Sequence, residues 1–215
     1  MRIRPDSGTR QIVMGLMVMV GGALVLTLSA CGLFSIRDKV PPVVGTCGQG
    51  KSPTSSDIVL ENLVEAIECK KDGSSLFAQS LNDGFWLDLD DQDVFDLAQL
   101  GVPRDSINRS DMIFAQDRVA TSVEFPDSFR FVFTLVVPQD QGGSQVYYEF
   151  MPYRLEMYQP EGDSAVLTTQ YSGTVDLTVS EQQAGTWAIS RWADHRDGPN
   201  STLGYLFALK APTPG

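Results

Sequence analysis

The chain of 215 residues has one histidine, three cysteines, and only 16 basic side chains against 27 acidic ones. Each scarcity narrows what it can do. A formal net charge of −11 repels phosphate backbones and anionic lipid headgroups, so nucleic acid is not an expected partner. No C-x-x-C motif is present, which argues against dithiol redox chemistry. All histidine chemistry rests on His195, in the stretch TWAISRWADHRDG from Thr186 to Gly198.

What is present begins with a targeting segment. MRIRPDSGTRQ carries Arg2, Arg4 and Arg10, and an apolar run of 17 residues follows, Ile12 to Leu28. A basic start, an apolar middle and small residues at Ser29 and Ala30 are the pattern of a secretory signal peptide over residues 1–30. An uncleaved membrane-spanning anchor stays open, because this run lies at the short edge of a spanning helix. Either reading puts the remainder outside the cytoplasm. Leu28-Ser29-Ala30-Cys31 resembles the lipobox of bacterial lipoproteins. The resemblance implies cleavage between Ala30 and Cys31, with Cys31 lipidated. An anchor of more than one acyl chain attaches stably where a single chain is reversible. Gly32, in place of Asp after the lipid site, resembles the outer-membrane sorting class of diderm bacteria.

Residues 1–30 hold three arginines and Asp6, so the chain from Cys31 onward keeps 13 basic and 26 acidic side chains, a net charge of −13. Its 185 residues suit one domain plus a tether. With Cys31 lipidated, Cys47 and Cys69 form the available pair, and an exported chain permits their disulfide. Two free thiols are the alternative.

Residues 32–52 are rich in Gly, Pro and Ser without periodicity and read as a flexible tether after the lipidated Cys31. The domain is expected over 53–210, with a short tail at 211–215. Ser55 can cap a helix with Asp57 in its first turn, Leu60, Leu63, Val64 and Ile67 at helical spacing, and Gly73 as its stop. A short helix from Ser74 to about Leu81 and a turn at Asn82 to Gly84 follow.

FWLDLDDQDVFDLAQL, Phe85 to Leu100, carries an acidic cluster. With Asp88 at position 1 of a calcium loop, Asp90 falls at 3, but Gln92 stands at 5, Asp93 where glycine is needed and Gln99 where glutamate is needed. The stretch therefore reads as the solvated acidic start of a helix over about Asp90 to Leu100, with Val94, Phe95 and Leu97 inward. No metal site and no cofactor are expected. Calcium-dependent adhesion through Asp88 to Asp96 is carried as a third function class.

Alternation then replaces helical spacing. Phe129, Phe131, Phe133, Leu135 and Val137 predict a strand. Turns at Pro138 to Gly143 and Glu161 to Asp163 separate it from strands over Gln145–Tyr158 and Val166–Val179. Pro152 in the second demands an edge or a bulge. Thr186–Trp192 and Leu203–Lys210 complete the expected set. Helices first and hairpin-joined strands after mean α+β with an antiparallel sheet.

SSDIVLENLVEAIECKKDGSSLFAQSLNDGF and TWAISRWAD resemble the helix pair and late strand of the nuclear transport factor 2-like superfamily, which includes SnoaL-like and ketosteroid isomerase-like proteins. The resemblance implies N-terminal helices packed on a curved antiparallel sheet, a cone whose mouth serves as an enzyme pocket, a ligand pocket or a partner surface. Such a fold does not select a function.

His195 with Asp194 could form a base and its orienting partner only if a turn makes them converge. On a continuous strand they point oppositely, Trp187, Ile189 and Arg191 sharing one face and Ala188, Ser190, Trp192 and Asp194 the other. Arg191 is then expected to pair with a carboxylate on a neighbouring strand, and HRDGPNS to be a polar loop. The leading expectation is a lipid-anchored, non-catalytic envelope protein that binds an unknown protein or a small apolar ligand. The alternative is a small SnoaL-like enzyme using Asp194, His195, Tyr147 or Tyr171 within the cone.

Overall fold

Ser55 Oγ accepts a hydrogen bond from Ile58 N, and the helix it caps, α1 (Ser56–Glu68), buries Val59, Leu60, Leu63, Ala66 and Ile67. The computed structural model describes residues 47–122, 128–140, 143–161, 164–183 and 185–213. The signal segment, the lipobox residues Leu28 to Cys31 and the tether up to residue 46 lie outside the described residues, as do parts of the expected turns at 138–143 and 161–163. Among the described residues no helix is long and apolar enough to cross a membrane.

α1 ends at Cys69, earlier than Gly73, and a single 3-10 turn (Lys70–Gly73) leads into α2 (Ser74–Ser80). Gly73 serves close packing: a Cβ there would stand 2.0 Å from the carbonyl oxygen of Ala66. Residues 47–52 lie fastened along α1. Gly48 N and Gly50 N donate to Glu65 Oε1, Lys51 N donates to Asn62 Oδ1, and Asn62 Nδ2 returns a bond to the Lys51 carbonyl. Cys47 and Cys69 are joined by a disulfide, their Cα atoms 5.7 Å apart, so these residues are tied to the end of α1.

β1 (Leu81–Asp88) follows directly, where a turn is expected. Asn82 Oδ1 accepts from Gly84 N at 2.7 Å, a local turn accommodated as an irregularity inside the strand. α3 (Asp91–Gln99) begins where the acidic run predicts a helix, with Asp90 as its cap. Phe95 points to solvent at 58 % exposure, contrary to expectation, while Leu97 is fully buried. β2 (Ser106–Asn108) and α4 (Arg109–Thr121) were not legible in the sequence. The buried side of α4 is made of Met112, Ala115, Gln116, Val119 and Ala120, too small and polar to stand out as an apolar stripe.

β3 (Ser128–Phe133) ends before the alternating pattern does. Leu135 and Val137 are exposed because the chain leaves its partner strand β5 (Gln145–Glu161) there; it returns only as β4 (Gln139–Asp140), beyond an extra residue bulged out of β5 between Tyr148 and Met151. β5 (Gln145–Glu161), β6 (Ser164–Gln183) and β7 (Thr186–His195) pair antiparallel in succession. The sheet runs β2-β1-β7-β6-β5-β3, with β4 also on β5. β1 joins β7 in parallel, so the sheet is mixed and not antiparallel throughout. A chain that places helices and five strands between β1 and β7 reaches that edge by a crossover, which a reading of local turns does not reveal.

The last expected strand is a helix, α5 (Leu203–Lys210), capped by Thr202. LGYLFALK is apolar almost all round, and short apolar runs carry no period that separates strand from helix. Leu203, Leu206, Phe207 and Ala208 are buried, with α5 packed on α4 and α3 and touching the sheet. The fold is α+β, helices layered on one face of a curved sheet, as the resemblance implies.

Candidate functional site

The bonded register separates two faces of the sheet. Leu87, Trp192, Leu177 and Tyr148 stand in one row across β1, β7, β6 and β5, and all four are buried. Their neighbours Trp86, Arg191, Thr178 and Tyr147 form the adjoining row on the opposite face. Trp86 is 45 % exposed and the Arg191 side chain 65 %.

The buried face carries a cluster of rings. Phe131 meets Phe133 edge-on with centroids 4.7 Å apart, Phe133 lies 6.0 Å from Trp192, and Tyr153 lies 5.9 Å from Trp192 and 6.2 Å from Phe131. These separations are those of aromatic pairs in cores. Ser190 is bulged between Thr178↔Arg191 and Val179↔Ile189, and this extra residue turns both Ile189 and Trp192 inward. Simple alternation puts those two on opposite faces, so the expected arrangement is corrected by one bulge.

The same shift buries Asp194. Its Oδ1 accepts from Tyr153 Oη at 2.6 Å and its Oδ2 from Gly204 N at 2.7 Å, while Leu203 N donates to Tyr153 Oη at 2.8 Å. The pair thus receives the first amides of α5, where the helix dipole favours negative charge. Burial pushes the Asp194 carboxyl up to about 6, opposed by the bonds from Tyr153, Gly204 and Thr202. The Trp192 indole Nε1 lies buried beside it without a hydrogen-bond partner among the described residues, so its help is that of a dipole. Burial also drives the Tyr153 phenol well above its ordinary value, followed by the Asp194 charge.

His195 faces the other way. Its Nε2 stands 3.1 Å from Asp176 Oδ2, and its ring lies 5.4 Å from that of Phe150. Asp194 and His195 therefore do not converge, as the strand geometry implies. Asp176, not recognised in the sequence, is the partner of His195, and Tyr153 is the partner of Asp194; both came into reach through β5–β6–β7 pairing. Tyr147 is half-buried on the outer row and does not face the interior, contrary to its expected place. Tyr171 packs against the core, its phenol raised by burial and then by Tyr205.

The acidic cluster is divided among arginines. Arg191 Nε and Nη2 both reach Asp88 Oδ2, at 3.0 and 2.8 Å, which is the expected cross-strand pair. Arg196 Nη2 contacts Asp93 Oδ1, Asp96 Oδ2 and Ser201 Oγ, and Arg196 N donates to Asp90 Oδ2. Asp93 is fully buried and also accepts from Thr202 N, so the cluster is not a wholly solvated face and HRDGPNS is anchored through Arg196. Among the described residues no group of three or more His, Cys, Asp or Glu is disposed to hold a metal ion.

No family model and no curated protein matches the sequence. The chain is similar in structure to ActVI-ORFA from Streptomyces coelicolor, at 6% identity and a TM-score of 0.49 over 66% of this chain and 93% of that one. It is also similar to the Kfla4162 protein from Kribbella flavida, at 15% identity and 0.48 over 69% and 91%. A third is a conserved protein from Planctomyces limnophilus, at 12% identity and 0.47 over 64% and 89%.

Proposed function

We propose that this is a lipid-anchored cell-envelope protein whose domain is a non-catalytic binding module presented by the membrane, outer if the host is diderm. The observation that carries the binding reading is the ring cluster of Phe131, Phe133, Tyr153 and Trp192 where a cone-shaped domain would receive a ligand. With that interior committed to packing, recognition falls to the outside of the sheet, where Trp86, Tyr147 and Arg191 share a row. Large aromatics and arginine are the residue types that dominate binding surfaces. Both carboxylate oxygens of Asp194 are taken by protein donors, which weighs against the enzyme alternative.

LSAC before a mature chain of net charge −13 supports the anchor and a position outside the cytoplasm. Radiolabelled palmitate supplied to the producing cells should enter the wild-type protein and not Cys31→Ala. A wild type that stays unlabelled, or label that survives the substitution, overturns the anchor. For the binding reading, Trp86→Ala should lose the envelope component retained by the purified wild type, with Phe95→Ala unaffected; equal retention by all three overturns it.

A further inference from the structure

Phe150 has φ of +46°, in the left-handed region that a non-glycine residue adopts only at an energetic cost. It sits in the β5 bulge, is 56 % exposed, and has its amide held by Asp176 Oδ1 at 2.8 Å. The fold thus maintains backbone strain to hold an aromatic ring in solvent, against His195. Strain of this kind, retained by surrounding structure, clusters at ligand contacts, and bulges re-aim side chains at such places.

The ring does not stand alone. Tyr147, three residues before it, opens the row Tyr147–Thr178–Arg191–Trp86, one residue from each of four bonded strands. Three inter-strand steps separate Tyr147 from Trp86, about 14 Å, the span of a short chain of rings and not of one small molecule. Arg191 uses two nitrogens on a single oxygen of Asp88, which leaves Asp88 Oδ1 and Arg191 Nη1 without bonds among the described residues. That ion pair offers an acceptor and a donor together, the requirement of a pair of adjacent hydroxyls. Asp176 and Asp88 outnumber the one arginine, so polyanions are disfavoured here as on the whole chain.

We infer that the outer sheet face bearing Trp86, Arg191, Tyr147 and Phe150 binds an uncharged linear oligosaccharide, sugar C–H faces lying on the rings and hydroxyls bonded to the Arg191–Asp88 pair. This deepens the binding reading by naming the ligand class, and rests on it.

The test uses the full-length protein in detergent micelles. The chain has three tryptophans, and Trp86 is the exposed one, Trp187 being half-buried and Trp192 buried. Titration with chitotetraose, as an N-acetylated sugar, or with cellotetraose, as a plain glucan, should give a saturable change in tryptophan emission. Saturation-transfer NMR should show the same ligand in contact with aromatic protons. The arm that binds identifies the sugar type, and a tetragalacturonate of the same length should not bind. Loss of one ring should weaken binding about tenfold for Trp86→Ala, read by NMR, and for Tyr147→Ala, while Phe95→Ala keeps wild-type affinity. Phe150→Gly relieves the strain, so it should melt no lower than wild type and still lose about tenfold in affinity. No saturation by either neutral sugar at 10 mM (roughly a 2.7 kcal/mol ceiling), or wild-type affinity in both Trp86→Ala and Phe150→Gly, overturns the proposal. If neither sugar binds but Trp86→Ala abolishes retention of an envelope protein, the sugar inference falls and the binding reading stands.

Discussion

Tyr153 Oη donates to Asp194 Oδ1 at 2.6 Å across β5 and β7, and the same phenol oxygen accepts the amide of Leu203. One hydroxyl thus ties two strands of the sheet to the start of α5. The pair is a buried latch for the C-terminal helix.

Tyr153→Phe removes a donor from a buried carboxylate and an acceptor from a buried amide. Leaving such groups unsatisfied costs about 1–3 kcal/mol, which for a domain of this size lowers Tm by roughly 2–4 °C per kcal/mol. Scanning calorimetry of the variant should show a loss of that size. An unchanged Tm would mean that the latch contributes nothing.

Asp194 also sets a pH dependence with a definite sign. Its folded value of about 6 lies above the ordinary carboxylate value of 3.8, so between these the folded state holds a proton that the unfolded state has released. Stability from this group is fully present below about pH 4 and is lost as pH rises through 6, by an amount of order 2–3 kcal/mol. Urea denaturation from pH 4 to 7 should show wild type losing stability relative to Asp194→Asn across this window. A constant or opposite difference would show that the carboxyl is not raised.

Arg196→Met should be among the most damaging single changes. Arg196 is the cation against Asp93, which is fully buried, and removing one partner of a buried pair costs about 3–5 kcal/mol. Asp93→Asn should restore part of the loss in the double variant, measured by denaturant midpoint. Purely additive losses would show that the two do not act as a pair.

The Cys47–Cys69 disulfide encloses a separation of 22 residues, for which loop entropy estimates about 3 kcal/mol. Non-reducing peptide mapping of the exported protein should recover the linked pair. Cys69→Ser should lower Tm without releasing the protein from membranes, because the proposed anchor is at Cys31. Free alkylation of both thiols in the native protein would remove the staple.

Much of the fold is local and was legible. The Ser55 cap, the acidic helix start near Asp90, the apolar spacing of α1, and the alternation of Phe129, Phe131 and Phe133 are written in neighbouring residues, because capping and periodicity act within a few positions. The segment Leu203–Lys210 shows where that ends: apolar on every side, it becomes a helix because Thr202 caps it and Asp194 receives Gly204, whose added Cβ would stand 2.7 Å from that carboxylate. The parallel entry of β1 beside β7 and the partners of Asp194 and His195 are equally non-local. One extra residue at Ser190 decides that Trp192 and Asp194 face inward while Arg191 and His195 face out. A bulge reverses every side chain beyond it, and it is set by the strands on either side, so only the assembled sheet determines which residues make the core and which are offered to a ligand.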